Sequence, residues 1–261
     1  MPRIKLVLEY DGTHYVGWQM QPNGPSIQGR LKRALAELVG APVDVFAAGR
    51  TDSGVHALGQ VVVFDSPVTL PLRAYWMGLN GLLPDDVAVV TAEVVDDAFD
   101  PRRWAKGKRY QYRISNRRGR SPNRRHSHWE IFQPLDLTAM RQAATYLLGR
   151  HDFSSFRAAD CEARHPIREI LKAEIEGTPG DELRFTVEGT AFLRHMVRNL
   201  TGTLVEVGRG KQPPQWVKQV LEAKDRGLAG VTAPPHGLTL LEVFYGPTPG
   251  AKGPNDSHHD E

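Results

Sequence analysis

The chain has 261 residues, of which 40% are hydrophobic and 24% are charged, and this composition is typical of a soluble globular enzyme. Its length predicts one large domain or two closely packed ones, and no apolar run approaches membrane-spanning length. The formal net charge is +3, and the single cysteine, Cys161, excludes an internal disulfide and a cysteine-rich metal site. Two histidine pairs, His126 with His128 and His258 with His259, lack partners at ligand spacing, so we expect no structural metal.

The first half of the chain predicts a strand, a helix and a second strand. Residues Arg3 to Tyr10 alternate apolar and polar side chains, which indicates a strand and not a secretory signal. We therefore expect a cytoplasmic protein. A helix is predicted from Ser26 to Val39, with Gly40 as its stop signal, and the apolar run Val61 to Phe64 predicts the second strand.

The second half repeats this order of elements. In chain order the patterns predict a strand at Arg109–Ile114, a helix capped by Asp136, strands near Glu169–Ile175 and Leu183–Val187, a helix over Ala191–Gly208, a helix opened by Pro213 and a strand at Leu238–Tyr245. The repetition predicts an α+β fold of two similar halves, residues 1–104 and 105–245, with helices flanking antiparallel sheets around a shared cleft. Residues 246–261 are predicted to form a flexible polar tail.

Asp52 is the first candidate for a catalytic group. It lies in the segment AAGRTDSGVHALGQVVVF, residues 47–64, in a turn that leads into an apolar strand. A carboxylate on a short loop beside a rigid strand is a common position for chemistry, and Gly54 permits a sharp bend there. The alternative is that Asp52 only forms the turn or caps a helix.

A basic segment runs from Pro101 to Trp129. It contains eleven lysines or arginines and no acidic residue, which indicates a polyanionic partner. Aromatic residues are interleaved with these cations, and this combination suits unstacked bases, so RNA is the favoured partner. The aromatic residues are Trp104, Tyr110, Tyr112 and Trp129. The alternatives are a solvated basic hairpin or an acidic protein or lipid surface.

The predicted helix over Ala191–Gly208 carries a second charged cluster, Arg194, His195 and Arg198. On a helix, Arg194 and Arg198 would share one face and repel each other unless an anion lies near them. Phosphates, or Asp52 itself, would relieve that repulsion. The alternative is that both arginines only extend into water.

Four ordered motifs resemble the tRNA pseudouridine synthase A family. They are GRTDSGVHALGQVVVF, GWQMQP, FLRHMVRNLTGTLVEVGRG and TAPPHGL, within a resemblance that runs from about Ile4 to Tyr245. The resemblance implies a mixed α/β pseudouridine synthase fold with a central basic cleft, usually as a homodimer. It also implies isomerisation of uridine to pseudouridine at positions 38 to 40 of the tRNA anticodon stem-loop, with no cofactor and no membrane partner.

The resemblance also assigns roles to individual residues. It implies that Asp52 is the catalytic nucleophile or base, that Arg198 pairs with it, that Tyr110 is the active-site tyrosine and that Arg50 helps to displace the target base. One departure is the segment FDPRRW, residues 99–104, where the family commonly reads near FHARF. This departure lies in the segment that leads to Tyr110.

Three further cations, Arg109, Arg194 and His195, are predicted to contact the substrate.

Two other classes of protein stay open at this point. Asp52-Ser53-Gly54 matches the triplet of aspartic proteases, which need two such carboxylates, although no second triplet occurs. A non-catalytic RNA-binding protein would explain the basic segment but leaves Asp52 without a purpose.

Overall fold

The computed structural model describes residues 1–161 and 163–246. Within them, ten strands form one sheet. The strands are β1 (Arg3–Tyr10), β2 (Phe46–Ala47), β3 (His56–Asp65), β4 (Val87–Val95), β5 (Gly107–Ser115), β6 (Trp129–Glu130), β7 (Gly149–Asp152), β8 (Ile167–Gly177), β9 (Glu182–Gly189) and β10 (Leu238–Phe244).

Helices flank this sheet. They are α1 (Ile27–Val39), α2 (Leu79–Leu82), α3 (Leu137–Thr145), α4 (Met196–Gly208) and α5 (Trp216–Ala223), and a π-helical turn, Ala74–Gly78, leads into α2. The mixed α+β class predicted from the sequence is confirmed. No helix in the described part of the chain is long and apolar enough to cross a membrane.

The spatial order of the strands brings the two halves of the chain together. The order is β4-β1-β3-β10-β5-β9-β8-β7, while β2 pairs with β3 and β6 pairs with β5. The last strand, β10, lies parallel to β3 and antiparallel to β5, so it joins the strands of both halves into one continuous sheet. Tyr110 is paired with Leu240, and Leu240 is paired with Ala57. Two strand spacings, about 10 Å, therefore separate Tyr110 from the beginning of β3.

Helix α1 forms as its sequence predicts. The Ser26 side chain accepts a hydrogen bond from the Gly29 amide, and Gly40 ends the helix in the left-handed conformation with φ of 76°. The apolar face of the helix, which includes Ile27 and Leu31, is buried in the core.

Helix α4 begins later than the sequence predicts. The expected helix over Ala191–Gly208 is wrong in its first five residues, because His195 has a left-handed backbone with φ of 62° and the helix starts at Met196. A non-glycine residue in this conformation cannot continue a right-handed helix. Arg194 therefore lies before the helix, and the prediction that Arg194 and Arg198 share one helix face is also wrong.

The later strands are confirmed, since β5, β8 and β9 contain the predicted ranges and β10 begins at the predicted residue, whereas the helix that Pro213 was expected to open begins later. Pro213 lies in the turn before α5, which begins at Trp216. The division of the chain at residue 104 stays a prediction. Of the predicted tail, residues 247–261 lie outside the described residues.

Candidate active site

The turn that carries Asp52 is held by the loop that follows β1. The Trp18 amide donates to the Thr51 carbonyl at 3.1 Å, and the Val55 amide closes the turn by donating to the Asp52 carbonyl at 3.1 Å. At Gly17, with φ of 106°, a Cβ atom would lie 2.6 Å from the Thr51 carbonyl oxygen. Only glycine permits this close approach, so Gly17 of the GWQMQP motif positions the turn that carries Asp52.

Two buried polar side chains support the turn from inside the sheet. The hydroxyls of Tyr10 and Thr51 are hydrogen bonded at 2.8 Å, and the fully buried Gln60 side chain donates to the Gly49 carbonyl at 2.8 Å. Burial raises the pKa of Tyr10 to about 12, so its phenol stays protonated at neutral pH. Tyr10 and Gln60 were not predicted from the sequence, since each is one polar residue within an apolar strand.

Asp52 and Arg198 lie within ion-pair distance. The Arg198 Nη1 atom is 3.2 Å from Asp52 Oδ2, and the two side chains are 13% and 25% exposed. The same guanidinium donates through Nε to the Ala233 carbonyl at 2.8 Å, and the Ala233 amide donates to the Arg198 carbonyl at 3.2 Å. The guanidinium is thus bonded through both Nε and Nη1, which fixes its direction toward the Asp52 carboxylate.

Close packing of α4 against the segment before β10 places Ala233 beside Arg198. A Cβ atom at Gly202 would lie 1.7 Å from the Val231 carbonyl oxygen, so the helix backbone touches this segment directly. The TAPPHGL motif thus supplies the backbone that fixes Arg198.

His195 is the second side chain beside the Asp52 carboxylate. Its Nε2 atom lies 3.5 Å from Asp52 Oδ2, the same oxygen that Arg198 contacts. Burial lowers the pKa of His195, although the negative charge of Asp52 acts to raise it, so the imidazole is neutral at pH 7. In the described residues no hydrogen bond reaches the other carboxylate oxygen, Oδ1.

Tyr110 lies on β5, where it is 9% exposed. Its ring meets the Phe192 ring edge to face at a centroid distance of 5.1 Å. Burial raises the pKa of Tyr110, and the nearby Tyr10 and Asp52 raise it further. The phenol is therefore a very weak base, and its ring is the part of the side chain suited to substrate contact.

Arg50 and Arg194 lie at the surface near Asp52. Arg50 is exposed, and none of the described residues forms a hydrogen bond or an ion pair with its side chain. Arg194 forms an ion pair with Asp160, and both of these side chains are at least half exposed.

Arg109 is the predicted contact that the structure does not bring to Asp52. Neighbouring residues of a strand point to opposite faces, so Arg109 lies on the face away from Tyr110. Its guanidinium pairs with Glu188 at 2.7 Å and with Glu242 at 3.1 Å. Its charge is already compensated within the protein.

The basic segment is divided between core and surface. Tyr112, which the sequence indicated as a base-stacking candidate, is fully buried and donates to the Pro234 carbonyl at 2.7 Å, so that expectation is wrong. Arg124 pairs with Asp181 at 2.7 Å, an acid from another part of the chain. The arginines that stay exposed without an ion pair to a described residue include Arg117, Arg118 and Arg120.

Comparison with known proteins identifies the family. The model of the tRNA pseudouridine synthase family matches residues 6–102 and 143–246. The chain is 64% identical over its full length to tRNA pseudouridine synthase A of Myxococcus xanthus, also covering 100% of that protein. It is 51% identical to the same enzyme of Geobacter sulfurreducens, over 94% of this chain and 100% of that one. The chain belongs to the tRNA pseudouridine synthase family, whose members are isomerases.

A comparison with solved structures adds little. A chain in the crystal structure of a Cbf5-Nop10-Gar1 complex aligns at a TM-score of 0.39 and 11% identity, covering 91% of this chain and 57% of that one. Among the described residues, no group of three or more histidine, cysteine, aspartate or glutamate side chains could hold a metal ion.

Proposed function

We propose that this chain isomerises uridine to pseudouridine at positions 38 to 40 of the tRNA anticodon stem-loop, without a cofactor. The observation that carries the proposal is the Asp52–Arg198 ion pair beside the Tyr110 ring, which joins residues from both halves of the chain. The family assignment supports tRNA as the substrate. The choice of the anticodon stem-loop rests on the motif resemblance.

The reaction breaks the N1–C1′ bond of uridine, turns the detached uracil and joins its C5 atom to C1′. C5 then loses its proton and N1 gains one, so the product is an isomer of the substrate and no redox partner is needed. Asp52 either attacks C1′ to form a covalent intermediate or removes the C2′ proton to form a glycal. Arg198 and His195 both approach Oδ2 of the carboxylate, which leaves Oδ1 as the oxygen that reacts in either route.

The other side chains bind and present the base. A uridine in a stem must leave the base stack, at a cost of a few kcal/mol. Arg50, exposed at the turn, is suited to occupy the space that the base vacates, and the Tyr110 ring is suited to stack on the uracil. The exposed arginines of the basic segment supply contacts to phosphates.

An aspartic protease reading is less well supported. Such an enzyme needs two carboxylates that share a proton, whereas the partners of Asp52 in the described structure are a guanidinium and an imidazole.

We also propose that the protein acts in the cytoplasm and as a homodimer, as the resemblance implies.

The test is the substitution Asp52→Asn, assayed by mapping pseudouridine in unmodified tRNA. We expect pseudouridine formation to fall to background while the Kd for tRNA changes less than about threefold, because the asparagine side chain keeps the shape of the aspartate but lacks the reacting anion. The matched control is Asp65→Asn, at the far end of the strand that follows the turn, where the acid pairs with Arg3. Turnover by the Asp52 variant at the rate of the control would refute the proposal.

A further inference from the structure

Loss of the C5 proton in the last step of the reaction requires an acceptor. Once C5 has joined C1′, that carbon carries both the sugar and its original hydrogen, and the hydrogen must leave as a proton. Burial raises the pKa of Tyr110, so its phenol stays protonated and is a very poor acceptor. The guanidinium of Arg198 is always charged and cannot accept a proton. The remaining groups at the carboxylate are Asp52 itself and His195.

The backbone of His195 adopts an unusual conformation beside Asp52. Its φ of 62° is one of two positive values among the described residues other than glycine. Such a conformation costs free energy and persists where the surrounding structure fixes it, most often at functional sites. The Ala158 amide donates to the Arg194 carbonyl at 3.0 Å, and the Asn199 amide donates to the His195 carbonyl at 2.9 Å. These bonds fix the bend that places the imidazole at the carboxylate.

The two ring nitrogens of His195 have different surroundings. Nε2 lies 3.5 Å from Asp52 Oδ2, whereas Nδ1 forms no hydrogen bond with any described residue. A carboxylate favours the tautomer whose N–H faces it, so the neutral imidazole carries its proton on Nε2 and a lone pair on Nδ1. The His195 side chain is 27% exposed, against 13% for Arg198, so the imidazole is more accessible to a bound base than the guanidinium.

The detached uracil has to turn beside this side chain. Asp52 acts at C1′ or C2′ of the ribose and C5 becomes bonded to C1′, so the C5 hydrogen lies close to a group that contacts the carboxylate. Phe192, three residues before His195, packs edge to face on Tyr110, the ring suited to stack on uracil. The segment from Phe192 to His195 therefore connects the stacking ring with the reacting carboxylate.

We propose that Nδ1 of His195 accepts the proton that leaves C5. The inference rests on the proposed function, because the step exists only in that reaction. The electron pair of the C5–H bond forms the C5=C6 double bond, and the π electrons of the N1=C6 bond move to N1. The imidazolium then gives its proton to N1, so no proton is consumed. In either route Asp52 is a carboxylate again by this stage, and its charge stabilises the imidazolium.

The first experiment measures proton transfer from C5 in His195→Gln. Glutamine keeps an N–H donor for Asp52 but cannot accept a proton at neutral pH. Steady-state assays use an anticodon stem-loop with hydrogen or deuterium at C5 of the target uridine. We expect kcat to fall about 100-fold and deuterium to slow the variant further, because proton transfer then limits the rate. The matched control is His151→Gln on the edge strand β7, which should keep kcat within about twofold.

A stem-loop with 5-fluorouridine separates proton transfer from the earlier steps. Fluorine replaces the C5 hydrogen, so the base can be detached and rejoined but no proton leaves C5. We expect His195→Gln to consume 5-fluorouridine in a single turnover within about threefold of the rate of the unsubstituted protein. His195→Asn is the second variant, because asparagine adopts the left-handed backbone more readily than glutamine does.

A structural role of His195 would give a different result. If it only held Asp52 in place, both variants would lose activity equally on uridine and on 5-fluorouridine and would show no added isotope effect. That result, or an unchanged kcat on uridine, would overturn the inference while the unsubstituted protein still forms pseudouridine. If the unsubstituted protein forms no pseudouridine in tRNA, the proposed function and this inference both fall.

Discussion

Replacing Arg198 by methionine tests whether the guanidinium acts on the reaction or only on RNA binding. The substitution keeps most of the side-chain volume and removes both the charge near Asp52 and the donor to Ala233. At 3.2 Å and an effective dielectric constant of about 20, the gross attraction between the two charges is about 5 kcal/mol. Because Asp52 is 25% exposed, water takes over part of that attraction, and the net loss is about 2 to 3 kcal/mol.

That loss corresponds to a decrease in the rate of pseudouridine formation of about 30-fold to 150-fold. Single-turnover assays with saturating enzyme measure this rate, and fluorescence anisotropy with the stem-loop measures the Kd. We expect the Kd to change less than about fivefold. Losing the hydrogen bond to Ala233 should also lower the stability by about 1 kcal/mol, or about 2 to 4 °C in Tm.

Arg198→Lys is the matched control for charge. Lysine restores a cation but cannot contact Asp52 and the Ala233 carbonyl at the same time, so its rate should lie between those of the native protein and the methionine variant. Equal losses in rate and in affinity for Arg198→Met would mark Arg198 as an ordinary phosphate contact. An unchanged rate would refute its role at the carboxylate.

Two further predictions follow from the groups beneath the turn. Tyr10→Phe removes the hydroxyl bonded to Thr51, so it should lower the free energy of unfolding by about 1 to 2 kcal/mol and also slow the reaction. The control Tyr75→Phe loses buried hydrogen bonds away from Asp52 and should lower stability alone. Thermal denaturation measures the stability of each variant, and single-turnover assays measure its rate. Lys108 Nζ lies beside the turn, where it donates to the Ala48 carbonyl at 2.9 Å, and burial lowers the pKa of Lys108 to about 8. Its charge is therefore largely present at pH 7 and largely lost by about pH 9, so the affinity for the stem-loop should fall over this range. The same titration with Lys108→Met should be flat over this range, and a parallel fall in both proteins would contradict the assignment.

Much of the local structure could be predicted from the sequence because its causes lie within a few residues. Ser26 and Gly40 bound α1 through contacts within the helix and its caps, and the alternation in Arg3–Tyr10 produced β1. β4 and the π-helical turn were not identified. The late start of α4 came from His195, whose left-handed backbone has no signal in local propensity.

For the site, the sequence by itself determined which residue types were candidates: the carboxylate of Asp52, the ring of Tyr110 and the guanidinium of Arg198. Only the tertiary structure decided which of them meet. Insertion of β10 between β3 and β5 brings Asp52 and Tyr110 to one side of the sheet, and packing of α4 on Val231 directs Arg198 to the same point. Tertiary packing also pairs Arg109 with Glu188 and buries Tyr112. It places the Lys108 ammonium beside Gly49, and in the described structure no acidic side chain pairs with it. The Asp52–Arg198 contact alone joins residues 146 positions apart, and a pattern read over a short window carries no information on such contacts.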